Sequence, residues 1–294
     1  MSRVQVLLAA VCFGTTGTAQ ALGPDASAVT VGAVRIAVGA VLLLLVQRAV
    51  AGGAVARGRW ARGPLAVGAL GVAGYQLCFF AAVKDTGVAV GTVVALGSAP
   101  ALSGAGGWLL DRRVPDRSWA LATVLACAGV ATLALAGGGS EVSAPGVGLA
   151  IGAGASYAAF TLASKRLLDA GHGVETVMAR LFGLGAVLLI PVLLFGDLHW
   201  VTSAGGAAMA LWLGAIPTAL AYLLFAAGLR HLPANEVATL TLAEPVTATL
   251  LGAVVLGERP GAVAVAGIVV ILAGLAVLAI PKRTNRTPPV EVIA

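Results

Sequence analysis

Long apolar runs, each close to the length of a membrane-crossing helix, follow one another along the chain and are closed by glycine, proline or charged residues. They lie at 4–22, 29–50, 64–83, 88–110, 118–136, 145–164, 174–196, 204–228, 234–256 and 261–280. A helix that crosses the hydrocarbon core needs about 20 apolar residues. The runs are continuous and do not alternate every second residue, so they predict a bundle of ten transmembrane helices and not a β-barrel. The junctions carry residues that end helices, including Gly23-Pro24-Asp25, Gly63-Pro64, Asp111-Arg112-Arg113, Gly137-Gly138-Gly139, Gly196-Asp197 and Pro281-Lys282-Arg283. The last residues, 282–294, read as a short polar tail.

Composition removes the soluble alternative. Of the 294 residues, 59% are hydrophobic and 10% charged, and the mean hydropathy is +1.00. A soluble domain carries about 25% charged residues. The 40 glycines suit close packing between membrane helices. The net charge of +6 is read as a topology signal and not as a nucleic-acid footprint. With the N-terminus inside, the cytoplasmic side collects Arg3, Arg48, Arg57, Arg59, Arg62, Arg112, Arg113, Arg117, Lys165, Arg166, Arg230, Lys282, Arg283 and Arg286, fourteen of the 18 Lys and Arg. Lys84 and Arg259 fall outside, while Arg35 and Arg180 lie within spans. The bias predicts both termini in the cytoplasm and a multi-pass protein of the cell membrane. Arg3, the apolar run after it and Ala19-Gln20-Ala21 also have the form of a signal peptide. The internal repeat, however, requires the first span as a member of the fold.

That repeat appears when the sequence is shifted by 145 residues. Arg35 then falls on Arg180, Phe80-Ala81-Ala82 on Phe225-Ala226-Ala227, Pro100 on Pro245, Pro115 on Pro260 and Gly129 on Gly274. Matches among Ala, Leu, Val and Gly are cheap here, but a shared offset for Arg, Phe and Pro is not. The prediction is two five-helix units, 1–140 and 145–281, followed by the tail 282–294. Five is odd, so the second unit enters the membrane from the opposite side. Such inverted repeats are a recurrent plan for secondary transporters, in which two nearly equivalent packings open a central site to alternate sides.

Leu242-Ala243-Glu244-Pro245-Val246, then Leu256-Gly257-Glu258 and the glycine-bearing stretch from Gly267 to Gly274, resemble the last helix pair of EamA-type members of the drug/metabolite transporter superfamily. Ala99-Pro100-Ala101 with Asp111-Arg112-Arg113 is a weaker copy in the first half, where Arg113 stands at the position matching Glu258. Cys12-Phe13-Gly14-Thr15 departs from the Trp-Gly pair of many relatives. The resemblance implies ten helices around a central cavity and movement, often outward, of amino acids or related amphipathic metabolites.

The candidate chemistry is sparse, which makes it specific. Glu244 is the acid nearest the middle of any span, where a charge costs at least ~2.5–3.5 kcal/mol. It is read as a proton carrier or amine-binding carboxylate, against a structural acid that pins the Pro245 break. Pro245 would free the carbonyl of Thr241 to line a site, and Pro100 is the matching helix break. Arg35 and Arg180 are read as gating or structural ion pairs, with Asp25, Asp85, Glu175 and Glu236 as available partners, or as carboxylate anchors. Tyr75, Gln76, Tyr157 and Tyr222 are candidates for a cavity that takes amphipathic or cationic solutes. Thr15, Thr16 and Thr161 are further candidates, each of which can equally bond its own backbone. Glu258 is read as a helix cap.

No G-x-G-x-x-G, Walker or H-E-x-x-H motif is present, and His172, His199 and His231 are scattered. Cys12, Cys78 and Cys127 lie within apolar runs without ligand spacing. The expectation is no enzyme, no cofactor and no metal. The expected partners are a small-molecule substrate, the lipid bilayer and protons as a coupling ion, with no nucleic acid and with a homodimer left open. The rival class is a membrane-embedded enzyme or assembly subunit without transport activity. The repeat and the mid-span acid favour a secondary transporter.

Overall fold

The computed structural model describes residues 1–50, 60–112, 114–135 and 143–280. The Gly137-Gly138-Gly139 junction, Arg57, Arg59, Arg113, Lys282, Arg283, Arg286 and the tail 282–294 lie outside the described residues. What is described is helical: α1 (Ser2–Leu22), α2 (Ala28–Val50), α3 (Arg62–Gly87), α4 (Val90–Leu110), α5 (Arg117–Leu135) and α6 (Ala144–Asp169) come first. They are followed by α7 (Val174–Leu188), α8 (Ala204–Leu229), α9 (Ala234–Val255) and α10 (Ala262–Ala279).

Among the described residues, nine of these helices are long and apolar enough to cross a membrane. The exception is α7, whose predicted span 174–196 is divided at Leu189 and resumes as Ile190–Phe195. Pro191 supplies the reason, since it has no N–H with which to continue the helical ladder.

Two boundaries differ from the hydropathy reading because charge does not end a helix by itself. Lys84 and Asp85 belong to the last turn of α3, and only the left-handed backbone of Gly87 (φ 76°, ψ 163°) separates α3 from α4. A residue with a Cβ is strained at that conformation. Similarly, α6 runs to Asp169, carrying Lys165 and Arg166 on helix and not in a loop.

Several other ends follow local rules. Ser143 Oγ accepts from the Gly146 N–H (3.3 Å) at the start of α6, and Ser203 Oγ accepts from the Gly206 N–H (3.0 Å) at the start of α8. Asp116 Oδ1 accepts from the Trp119 N–H (2.8 Å) at the start of α5.

Arg3 fixes how the bundle closes. Its Nε donates to Glu236 Oε1 (2.6 Å) and its Nη1 to the Ala279 carbonyl (3.3 Å), so the starts of α1 and α9 and the end of α10 meet. This end of the bundle, which also carries Lys165, Arg166 and Arg230, is termed the basic end.

The packing of α5 on α10 is closest at Gly129 and Gly267. A Cβ on Gly129 would stand 2.6 Å from the Ile271 nitrogen and 2.7 Å from the Gly267 carbonyl oxygen. One on Gly274 would stand 2.7 Å from the Ala122 carbonyl oxygen. Shifted by 145, Gly129 becomes Gly274 and Gly267 becomes Ala122, so the two crossings are reciprocal images.

Candidate functional site

The candidate polar residues of the early helices meet in the middle of the bundle. Gln76 is 2% exposed. It joins α2 to α3, because its Nε2 donates to the Gly32 carbonyl (3.0 Å) while its Oε1 accepts from Arg35 Nη2 (3.3 Å). The Arg35 Nε is buried and has no hydrogen-bond partner. Arg35 and Gln76 line a small cavity of about 10 Å³ together with Tyr75, Tyr157, Phe160, Phe182 and Tyr222. That is room for about one water.

The rings around this cavity interlock. Tyr222 lies 4.4 Å from Phe182, 5.0 Å from Phe13 and 5.5 Å from Phe160, centroid to centroid. Tyr157 lies 6.1 Å from both Tyr75 and Phe225. These tilted and edge-to-face arrangements match the positive edge of one ring to the negative face of the next. The Tyr157 hydroxyl donates to Thr241 Oγ1 (3.2 Å), which ties α6 to α9.

Glu244 follows Thr241 through a short 3-10 turn, Thr241–Ala243. The sequence expectation that Pro245 leaves the Thr241 carbonyl to line a site is corrected here. In the tightened turn the Glu244 N–H donates to that carbonyl. Glu244 itself is half-buried. It stands three residues after Thr241, which accepts from the Tyr157 hydroxyl of the ring cluster. It forms neither of the two salt bridges found among the described residues, Arg3–Glu236 and Lys165–Asp169.

Other candidates go elsewhere. Arg180 takes part in neither of those ion pairs. Its guanidinium carbon sits 4.0 Å above the Trp60 ring, and Trp60 stacks on His172 at 3.9 Å. A cation over an indole face is held by the ring quadrupole without an acid. Thr161 donates to the Tyr157 carbonyl of its own helix (2.8 Å). Thr15 donates to the Cys12 carbonyl (2.7 Å) and accepts from Trp212 Nε1 (3.3 Å). Thr16 offers its carbonyl to Gln20 Nε2 (3.4 Å). Helix α4 continues through Pro100 without a non-helical residue, so the expected break at that proline is replaced by the turn at Gly87.

Sequence reasoning missed Phe160, Phe182 and the side chain of Thr241, of which it considered only the carbonyl. Phe160 was within reach, since it lies three residues after Tyr157 on the same helix face. Thr241 carried no signal beyond its place before Pro245. Among the described residues no group of three His, Cys, Asp or Glu side chains is arranged to hold a metal ion.

The profile of the EamA-like transporter family matches residues 3–135 and again 144–280. The chain belongs to the EamA-like transporter family. It is therefore a multi-pass membrane protein of a transporter family. The Bacillus subtilis protein named uncharacterized transporter YwfM is 40% identical over 286 residues, covering 96% of this chain and 95% of that protein. The Salmonella typhimurium threonine/homoserine exporter RhtA is 35% identical over 123 residues, 40% of each chain. A solved crystal structure shares the fold, with a TM-score of 0.80 at 20% identity, covering 94% of this chain and 95% of that one.

Proposed function

We propose that this EamA-family member is a secondary exporter of the cell membrane that moves amino acids or small amphipathic metabolites by alternating access, coupled to protons. It crosses the membrane ten times, with the interrupted α7 as one crossing and both termini in the cytoplasm. The two inverted repeats are 1–140 and 145–281, and the tail 282–294 is cytoplasmic. The double match to the family and the reciprocal crossings of α5 and α10 support the repeat. The meeting of Arg3 with Ala279 at the basic end supports a common side for the termini.

One observation carries the functional reading: Glu244 and Arg35 are opposite charges within an apolar bundle that are not joined to each other in either salt bridge found among the described residues. Neither charge would be kept at that depth without a task. Glu244 takes up a proton or the cargo's ammonium group, and the unfilled Nε of Arg35 takes its carboxylate. The tyrosine and phenylalanine rings cover the apolar part of the cargo. With about 10 Å³ free, the rings must part before cargo enters, as a transporter between open states requires.

The relative named as a threonine/homoserine exporter makes threonine the first probe. Purified protein in liposomes is expected to exchange labelled threonine or another neutral amino acid, faster with a pH gradient. Glu244→Gln is expected to remove the response to the gradient while the protein still folds. Undiminished, gradient-driven transport by that variant overturns the assignment.

A further inference from the structure

At the basic end a second cavity, about 730 Å³, opens among α4, α5, α6 and α9. It reaches Ser103, which lies about 10 Å up α4 from the helix end at a rise of about 1.5 Å per residue. Ser103 is 0% exposed, lines the cavity, and its hydroxyl has no hydrogen-bond partner. A buried hydroxyl left unbonded costs about 1–3 kcal/mol, so its position asks for a ligand or an ordered water.

The charges on the walls are mostly spoken for. Glu236 is held by Arg3 at 2.6 Å, and Lys165 by Asp169 at 2.8 Å and by the Arg230 carbonyl at 3.1 Å. Asp116 accepts from the Ser118 hydroxyl (2.7 Å) and the Trp119 N–H (2.8 Å). Arg166 lines the same cavity and is in neither salt bridge found among the described residues. The apolar part of the wall is Trp108, Trp119 and Leu162. Glycine on α4 makes this wall possible, because a Cβ on Gly104 would strike the Trp119 ring and one on Gly106 the Leu162 side chain.

A partition separates this cavity from the tyrosine cluster. Trp119 Nε1 donates to Thr239 Oγ1 (3.0 Å), and the Thr239 and Thr123 hydroxyls are 2.8 Å apart. Two residues further along α9 comes the Tyr157–Thr241 bond (3.2 Å).

We propose that the basic-end cavity is a separate binding site for an amphipathic carboxylate, with the carboxylate on Arg166 and Ser103 and the apolar body against Trp108, Trp119 and Leu162. Its use as a loading site for cargo rests on the export reading; binding itself does not. The site differs from the tyrosine cluster in asking for no ammonium group, because its acids are already engaged.

N-acetyl-leucine, an apolar carboxylate without an ammonium group, is the probe. Its binding to the purified full chain in phosphatidylcholine nanodiscs is followed by calorimetry and tryptophan fluorescence. The wild type is expected to bind it, Arg166→Gln to lose at least about tenfold in affinity, Arg166→Lys to retain part of the binding, and Ser103→Ala to lose severalfold. Glu244→Gln is expected to bind the probe as the wild type does. No binding by the wild type, or equal binding by Arg166→Gln, overturns the proposal. So does loss of binding in Glu244→Gln, which would place the probe in the tyrosine cluster. Complete displacement by a few per cent of phosphatidylglycerol in the nanodisc also overturns it, by assigning the site to a lipid headgroup. Normal threonine transport by Glu244→Gln would instead defeat the transport assignment and leave Arg166-dependent binding standing.

Discussion

The tyrosine cluster and the basic-end cavity adjoin the same helix, α9, yet polar groups are satisfied in opposite ways in the two places. In the cluster, rings fill the space, about 10 Å³ is left, and the charges of Arg35 and Glu244 remain unjoined. In the basic-end cavity, ion pairs and caps engage most of the charges at the walls while about 730 Å³ stays open. Space and free charge are therefore distributed in reverse. A site with idle charge and no room needs movement before it can act. A site with room and one idle guanidinium can receive an anion at Arg166 as it stands, and needs only Ser103, which is 0% exposed, to be uncovered.

The largest expected effect tests the first half of that contrast. Phe182 is 1% exposed and contacts both Tyr222 and Phe160. Phe182→Ala should lower stability by about 3 kcal/mol through lost packing, read as a fall in the thermal midpoint of the detergent-solubilised protein. An unchanged midpoint would mean that the rings do not support the bundle.

Next in size is Arg35→Gln. A hydrogen bond to a charged group contributes about 1.5–3 kcal/mol, so cargo affinity should fall roughly 10- to 100-fold. Binding of N-acetyl-leucine to the basic-end cavity should persist, and a parallel loss at both sites would erase the distinction between them. A third change, Gly129→Val, leaves both sites chemically intact and strains the α5–α10 crossing. Overpacking typically costs about 1–3 kcal/mol, visible as a lower midpoint without a change in substrate preference.

The smallest effect concerns the partition. Thr239→Val removes the hydroxyl that joins Trp119 to Thr123. It should cost about 1 kcal/mol and raise the rate of exchange in liposomes if the two regions communicate along α9. An unchanged rate would show that the wall is not what limits passage.

Much of this arrangement could be read before any coordinates. Hydropathy located most of the helices because a membrane leaves no alternative for an apolar run of that length, and the offset of Arg35 from Arg180 is the signal on which the proposed duplication rests. Tyr75, Gln76, Tyr157 and Tyr222 were singled out one by one as polar groups in apolar surroundings. Their convergence could not be read, because it depends on how α3, α6 and α8 cross. The surroundings of Arg180 are hidden for a similar reason: the sequence offers acids as its partners, while Trp60, separated from it by 120 positions, takes the place. The basic-end cavity had no sequence signature, since Ser103, Arg166 and Glu236 come from three helices and none is unusual alone. Local backbone was also hidden. Pro100 leaves α4 unbroken, whereas a glycine without special context, Gly87, makes the turn.

The two reciprocal crossings of α5 and α10 have a mechanical consequence. A single tight contact between two rods permits them to swivel about that point. Two contacts spaced along the same rods, Gly129 on Gly267 and Gly274 on Ala122, define a line and forbid the swivel. This pair is then a stiff spine within the bundle, and in the proposed alternating access the rocking of the remaining helices is referred to it as a door is to its post.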